Sequence, residues 1–168
     1  MAKARAIPGI APQSSFSEAA ADAVEVRTGE LFSFTEGVLD TGDVERVHDM
    51  RVASRRLRAV LEVFAPCFPK RELRQTLREV KALADDLGER RDPDVAIAAL
   101  ERVGAGLAAP DRPGLDGLIA ELSKSQESGN ALLARRLERV EEIDLQGRLL
   151  ALSAAARTTW APPGAEKP

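Results

Sequence analysis

Two runs of cations in this chain share one spacing. His48, Arg51, Arg55 and Arg58 fall at i, i+3, i+7 and i+10, and Arg71, Arg74, Arg78 and Lys81 repeat that pattern. At about 100° per residue, each run lines one side of a helix. An acid follows each run four residues on, Glu62 in the first case and Asp85 in the second. Guanidinium groups in a row suit a polyanion, because the planar fork stays charged and matches phosphate oxygens two at a time. The plain alternative is that these are solvated faces of bundle helices, which are usually charged. Solvated faces, however, commonly mix signs to gain i,i+4 pairs. Here four arginines, Arg51, Arg55, Arg56 and Arg58, crowd into eight residues.

The elements that hold these runs are helices. Val47, Met50, Leu57, Leu61 and Phe64 form an apolar side opposite the first run, and Leu73, Leu77, Val80, Ala84 and Leu87 do so for the second. With a short link around Pro66 and Cys67, the two helices are expected to form an antiparallel hairpin. A symmetric turn would set Glu62 against Arg71, Arg58 against Arg74, Arg55 against Arg78, Arg51 against Lys81 and His48 against Asp85. The middle three rungs of this ladder are cation on cation, each repelling by about 1–4 kcal/mol at a surface site. Whether the two runs share one groove or lean apart is left open by the wheel geometry.

The rest of the chain reads as helix too. A leader over residues 1–14, with Pro8, Gly9 and Pro12, lacks periodicity and is expected to be flexible. Ser15 and Glu18 form a capping box for a first helix that extends to about Leu39. Asp40-Thr-Gly-Asp43 is a turn, and the second helix covers about Val44 to Ala65. The third is expected to end at Leu87 with Gly88 as its cap, and Asp92-Pro93 to start a short fourth reaching Val103. After a Gly/Ala/Pro loop, Gly104 to Gly114, a fifth segment covers Leu115 to Glu141, with Ser128-Gly129 as a point where it could break. A sixth runs from Asp144 to Arg157, and residues 158–168 are expected to be a disordered tail. No period-two alternation of β-branched residues is sustained anywhere. The expected fold is all-α, an antiparallel helical bundle of about four to six helices, forming a single domain over 15–157.

Composition narrows the function. The 168 residues are 44% hydrophobic but only 4% aromatic, which makes the core aliphatic and leaves little for stacking on bases. The formal net charge of −3 hides an asymmetry: Arg46 to Lys81 holds ten Lys/Arg against four Asp/Glu. That pattern points to a local anion-binding surface rather than general adhesion. The single cysteine, Cys67, has no His or Cys partner, reads as inert and fits a reducing compartment. No apolar run is long enough for a membrane span, and the N-terminus lacks the apolar core of a signal peptide. A cytoplasmic location is expected. His48 is the only histidine, and neither Glu45 nor Asp49 completes a metal spacing with it, so no metal and no cofactor is expected. The glycine pairs at Gly104/Gly106 and Gly114/Gly117 lack the Lys-Ser/Thr of a phosphate loop, and no nucleophile–base pair is evident, so no catalytic residue is assigned.

At the residues His48-Asp-Met-Arg51-Val-Ala-Ser-Arg55-Arg56-Leu-Arg58, followed by Leu87-Gly88-Glu-Arg-Arg91-Asp92-Pro-Asp94-Val95, the chain resembles the CHAD domain, the conserved-histidine α-helical domain. The resemblance is specific over about Val44 to Leu100. It implies a helical fold that binds inorganic polyphosphate through basic residues and associates with polyphosphate granules. Carried over by matching position, it implies roles for His48, Arg51, Arg55, Arg58, Arg78, Lys81 and Arg91. Asp92 and Asp94 match as well, although Asp92 reads locally as a helix cap. Arg74 joins the expected polyphosphate contacts from its place in the second run, and Arg56, Arg71 and Arg90 are expected as secondary ones. The family's frequent companion, a triphosphatase domain, is not present in this sequence, so catalysis is not implied. Helical nucleic-acid binding is the alternative.

Family members usually carry two basic bundles in a longer chain. Arg135-Arg136-Leu137-Glu138-Arg139 is only a chance echo of a second motif, with Ser128 and Ala131 where His and Arg would be needed. This chain is therefore expected to be a half-length form that completes its surface as a homodimer. Leu118, Leu122, Leu132, Leu133, Leu137, Leu145, Leu149, Leu150 and Leu152 are the candidate interface.

Overall fold

A computed structural model describes residues 3–9, 11 and 13–159. Among them there are five α-helices and no strand: α1 (Phe16–Phe32), α2 (Val44–Val63), α3 (Lys70–Gly104), α4 (Arg112–Glu142) and α5 (Leu145–Thr159). The all-α expectation holds. Helix α1 packs on α2 and α5, α2 packs on α3, and α3 packs on α4 and, over part of its length, on α5. The expected tail beyond Thr159, and leader residues Met1, Ala2, Ile10 and Pro12, lie outside the described residues.

The capping box forms as its sequence dictates. The Glu18 amide donates to Ser15 Oγ at 3.2 Å, and Glu18 Oε2 accepts from the Ser15 amide at 2.9 Å. Arg5 lies along α1, its amide donating to the buried Glu30 carboxylate at 3.1 Å. Helix α1 ends at Phe32 rather than at Leu39. Past Ser33 the chain turns repeatedly, with Gly37 at φ 76°, a left-handed conformation that glycine adopts without a Cβ clash. Val38 plugs this segment into the core, and the Leu39 carbonyl accepts from Asn130 Nδ2 at 2.9 Å.

The core is aliphatic, as composition requires. Val47, Met50, Leu57 and Leu61 of α2 are fully buried, as are Val80, Leu83 and Leu87 of α3 and Leu145 and Leu149 of α5. Phe64 is only partly buried, its ring 4.8 Å from that of Phe16. Cys67 is buried, and desolvation pushes its thiol up from the ordinary range, which suits an inert side chain.

Helix α3 corrects two expectations at once. It runs 35 residues without stopping at Gly88 and without restarting at Asp92. Pro93 lies inside it, so the Glu89 carbonyl loses its i+4 donor, a defect that commonly costs about 3 kcal/mol. The surroundings hold the helix together there. Arg90 Nη1 donates to Asp94 Oδ1 at 2.5 Å across that turn, and Gln126 Nε2 and Asn130 Oδ1 of α4 join the pair at 2.6 and 3.0 Å. Helix α4 is likewise unbroken at Ser128-Gly129. Gly129 is needed for contact instead: a Cβ there would stand 3.1 Å from Arg90 Cα and 3.4 Å from the Glu89 carbonyl oxygen. Beyond this crossing, no residue from Val95 to Val103 or from Arg112 to Ser128 is fully buried, so the far halves of α3 and α4 form an arm without a core of its own.

Candidate functional site

The two cationic runs flank one seam between α2 and α3. Three cross-helix approaches fix this. Lys81 Nζ lies 3.3 Å from Glu62 Oε1, Arg91 Nη2 lies 3.9 Å from Glu45 Oε1, and a Cβ on Gly88 would stand 3.7 Å from Arg51 Nε. Gly88 continues the Lys81 run by helical spacing, and Glu62 continues the Arg55–Arg58 run, so both runs open to the same side. Gly88 is thus not a cap; its missing side chain leaves room for the Arg51 guanidinium.

The register differs from the symmetric ladder. Glu62 meets Lys81 rather than Arg71, and Arg51 meets Gly88 rather than Lys81, slips of about three and about two turns at 3.6 residues each. The cause is the connection. After Phe64 the chain makes a 3-10 turn, Ala65–Cys67, and Phe68 and Pro69 then run extended into α3. The start of α3 consequently overshoots the end of α2, and Arg71 and Arg74 lie exposed on the overshoot. The three cation–cation rungs do not form.

What forms instead is a row with few internal partners. Among the described residues, no carboxylate lies within ion-pair distance of Arg51 or Arg55. Arg58 Nε donates to Glu62 Oε1 at 3.0 Å, and hydrogen bonds from Arg58 first and Lys81 next hold the Glu62 carboxyl below its usual range. Arg78 is well exposed and reaches only its neighbour Glu79, at 3.4 Å. Arg91 closes the far end, 3.5 Å from Asp94 Oδ2 as well as 3.9 Å from Glu45. His48 is half-buried on the α2 wall.

Two expected secondary contacts belong elsewhere. Arg90 is fully buried, and its guanidinium serves Asp94 and Asn130, so a surface anion does not reach it. Arg56 turns toward α1, where its Nη1 lies 3.2 Å from Glu30 Oε1 while Arg27 Nη1 holds Glu30 Oε2 at 2.6 Å. Sequence reasoning set Glu62 across the hairpin but against Arg71 rather than Lys81, and it missed Glu45 as a partner of Arg91. The i,i+4 spacing of Arg58 and Glu62 was a signal for half of the Glu62 contacts; the Lys81 half needed the true register.

Among the described residues no group of three or more His, Cys, Asp and Glu side chains could hold a metal ion. The geometry offers cations along a shallow seam, a surface suited to binding an extended anion. The CHAD domain family model matches residues 22–168, a range containing all of α2, α3 and their seam. The chain belongs to the CHAD domain family. CHAD domains are non-catalytic binding modules, and this one presents some of its basic residues at the surface. None of the curated proteins compared with this CHAD chain matches it. No helix among its described residues is long and apolar enough to cross a membrane.

Proposed function

We propose that this CHAD domain binds inorganic polyphosphate along the α2/α3 seam without turning it over. Arg51, Arg55, Arg58, Lys81 and Arg91 are the principal contacts, His48 and Arg78 line the same side, and Arg71 and Arg74 extend the cationic track past the end of α2. The observation that carries this reading is the pair Arg51 and Arg55, which have no carboxylate partner among the described residues although acids are plentiful in the chain. Cations kept unpaired on one face are free to pair with phosphate oxygens, each by a charge-assisted bond. Family membership supports the same ligand. Nucleic acid would use the same charge, but neither α2 nor α3 from Arg78 to Arg91 carries a Phe, Tyr or Trp for stacking or an Asn or Gln for reading base edges. A cytoplasmic location at polyphosphate granules follows as part of the proposal.

A second copy of the chain is the proposed protein partner. Of the leucines expected at an interface, Leu133, Leu145, Leu149 and Leu152 are buried within the monomer, whereas Leu118, Leu132 and Leu150 are exposed. Leu118, with Val95 and Val103, lies on the arm of α3 and α4 and Leu132 just past the Gly129 crossing, and this apolar surface is where the copies would meet.

One titration addresses both points. Long-chain polyphosphate added to the protein is expected to bind with an affinity that falls linearly with salt on a log–log scale. At a hundred times Kd it is expected to stabilise the fold by about 2.7 kcal/mol. Light scattering before the addition is expected to give twice the 18.1 kDa chain mass. No stabilisation by polyphosphate would sink the ligand, a mass of one chain would sink the dimer, and release of orthophosphate would make the domain an enzyme.

A further inference from the structure

Glu62 takes a cation from each wall of the seam, and its role is not explained by stability. Its Oε1 accepts from Arg58 Nε at 3.0 Å and lies 3.3 Å from Lys81 Nζ, while all three side chains are more than 40% exposed. Exposed pairs of this kind add little to a fold. What the carboxylate does do is occupy two converging cations from opposite helices with an anion that belongs to the protein.

We infer that Glu62 is a tethered competitor that selects for polyanions, a role that rests on the proposed polyphosphate site. A carboxylate on the same backbone acts at an effective concentration in the millimolar range, set by the short tether. A small anion such as orthophosphate or pyrophosphate, free in solution, must exceed that concentration to take Arg58 and Lys81. A polyphosphate already held at Arg51 and Arg55 presents its next phosphates at a comparably high local concentration and displaces Glu62. The side chain is free to swing aside, because nothing buries it. Glu72 on the first turn of α3 is also an exposed glutamate but makes no ion pair among the described residues, which makes it the matched control.

The test compares Glu62→Gln, Glu72→Gln, Arg51→Gln and the double variant Arg58→Gln/Glu62→Gln by titration with pyrophosphate and with long-chain polyphosphate. Glu62→Gln is expected to tighten pyrophosphate about fivefold, the scale of an exposed ion pair. It is also expected to steepen the salt dependence for long-chain polyphosphate by about one ion, because no displaced carboxylate is left to take up a counter-cation on binding. Glu72→Gln should change neither, and in the Arg58→Gln background the gain should be largely lost. Weaker binding by Glu62→Gln would make Glu62 a positioning residue and overturn the inference. An equal gain from Glu72→Gln would reduce it to net charge. Arg51→Gln, which does not touch Glu62, reports on the site itself: loss of binding there without a gain at Glu62 defeats only the competitor, whereas no loss at Arg51 defeats the site.

Discussion

Reversing Arg51 and Arg55 together to glutamate lowers affinity for long-chain polyphosphate by at least about a hundredfold. Each guanidinium is expected to make a charge-assisted bond to phosphate, worth about 1.5–3 kcal/mol, and each reversal adds repulsion to that loss. Neither side chain has an ion-pair partner among the described residues, so the variant should keep its melting temperature within a degree or two (about 0.5 kcal/mol or less for surface changes). The matched control reverses Arg135 and Arg139 on α4, which are also exposed. Arg139 pairs with Glu142 at 3.4 Å, and both arginines lie on α4, which packs on α3 and α5. Reversal there should cost only a few-fold, through general charge. Equal losses from both pairs, measured by titration at one salt concentration, would mean diffuse attraction without a site.

The largest effect on stability is expected at Asp94. Its side chain is fully buried against Arg90, which is itself 0% exposed, and Gln126 donates to the same oxygen. Truncation by Asp94→Ala leaves a guanidinium in the interior with only Asn130 to serve it, and breaking a buried pair in this way costs about 3–5 kcal/mol. That is a large share of the 5–15 kcal/mol that holds a typical domain together. It also removes the bridge across the turn that Pro93 weakens, so α3 and α4 should loosen at their crossing. Urea unfolding checks the size of the loss. Replacing both partners, as in Arg90→Met/Asp94→Leu, should recover most of it, because an apolar pair needs no counter-charge. A loss below about 1 kcal/mol for Asp94→Ala would mean that water reaches the pair and serves as its partner.

Seen against these two sites, what the sequence makes legible is the periodic part. Val47, Met50, Leu57 and Leu61 announce α2 and its buried side because a helix repeats every 3.6 residues, and the cationic run stands out for the same reason. Local punctuation was less reliable. Gly88 and Asp92-Pro93 carry ordinary stop and start signals, yet α3 continues through both, because Arg90–Asp94 and the close approach of Gly129 reward a continuous helix more than the turn signals oppose it. The register was not legible, since it depends on how far Phe64 to Pro69 carry the chain before α3 begins. Arg56 and Arg90 show a further limit of reading by proximity. Each sits one residue from a seam arginine, and one residue rotates a side chain by about 100°, enough to send Arg56 to Glu30 and Arg90 into the interior.

The central claim is that the seam prefers inorganic polyphosphate to other polyanions, and a direct competition tests it. Labelled long-chain polyphosphate bound to the full chain is challenged with duplex or single-stranded DNA at equal phosphate concentration, in about 0.15 M salt where weak non-specific contacts are screened. A seam of arginines without aromatic or amide readers should keep the polyphosphate, so DNA should displace little of it at parity. Displacement of most of the label by DNA would contradict the account and make the domain a nucleic-acid-binding protein.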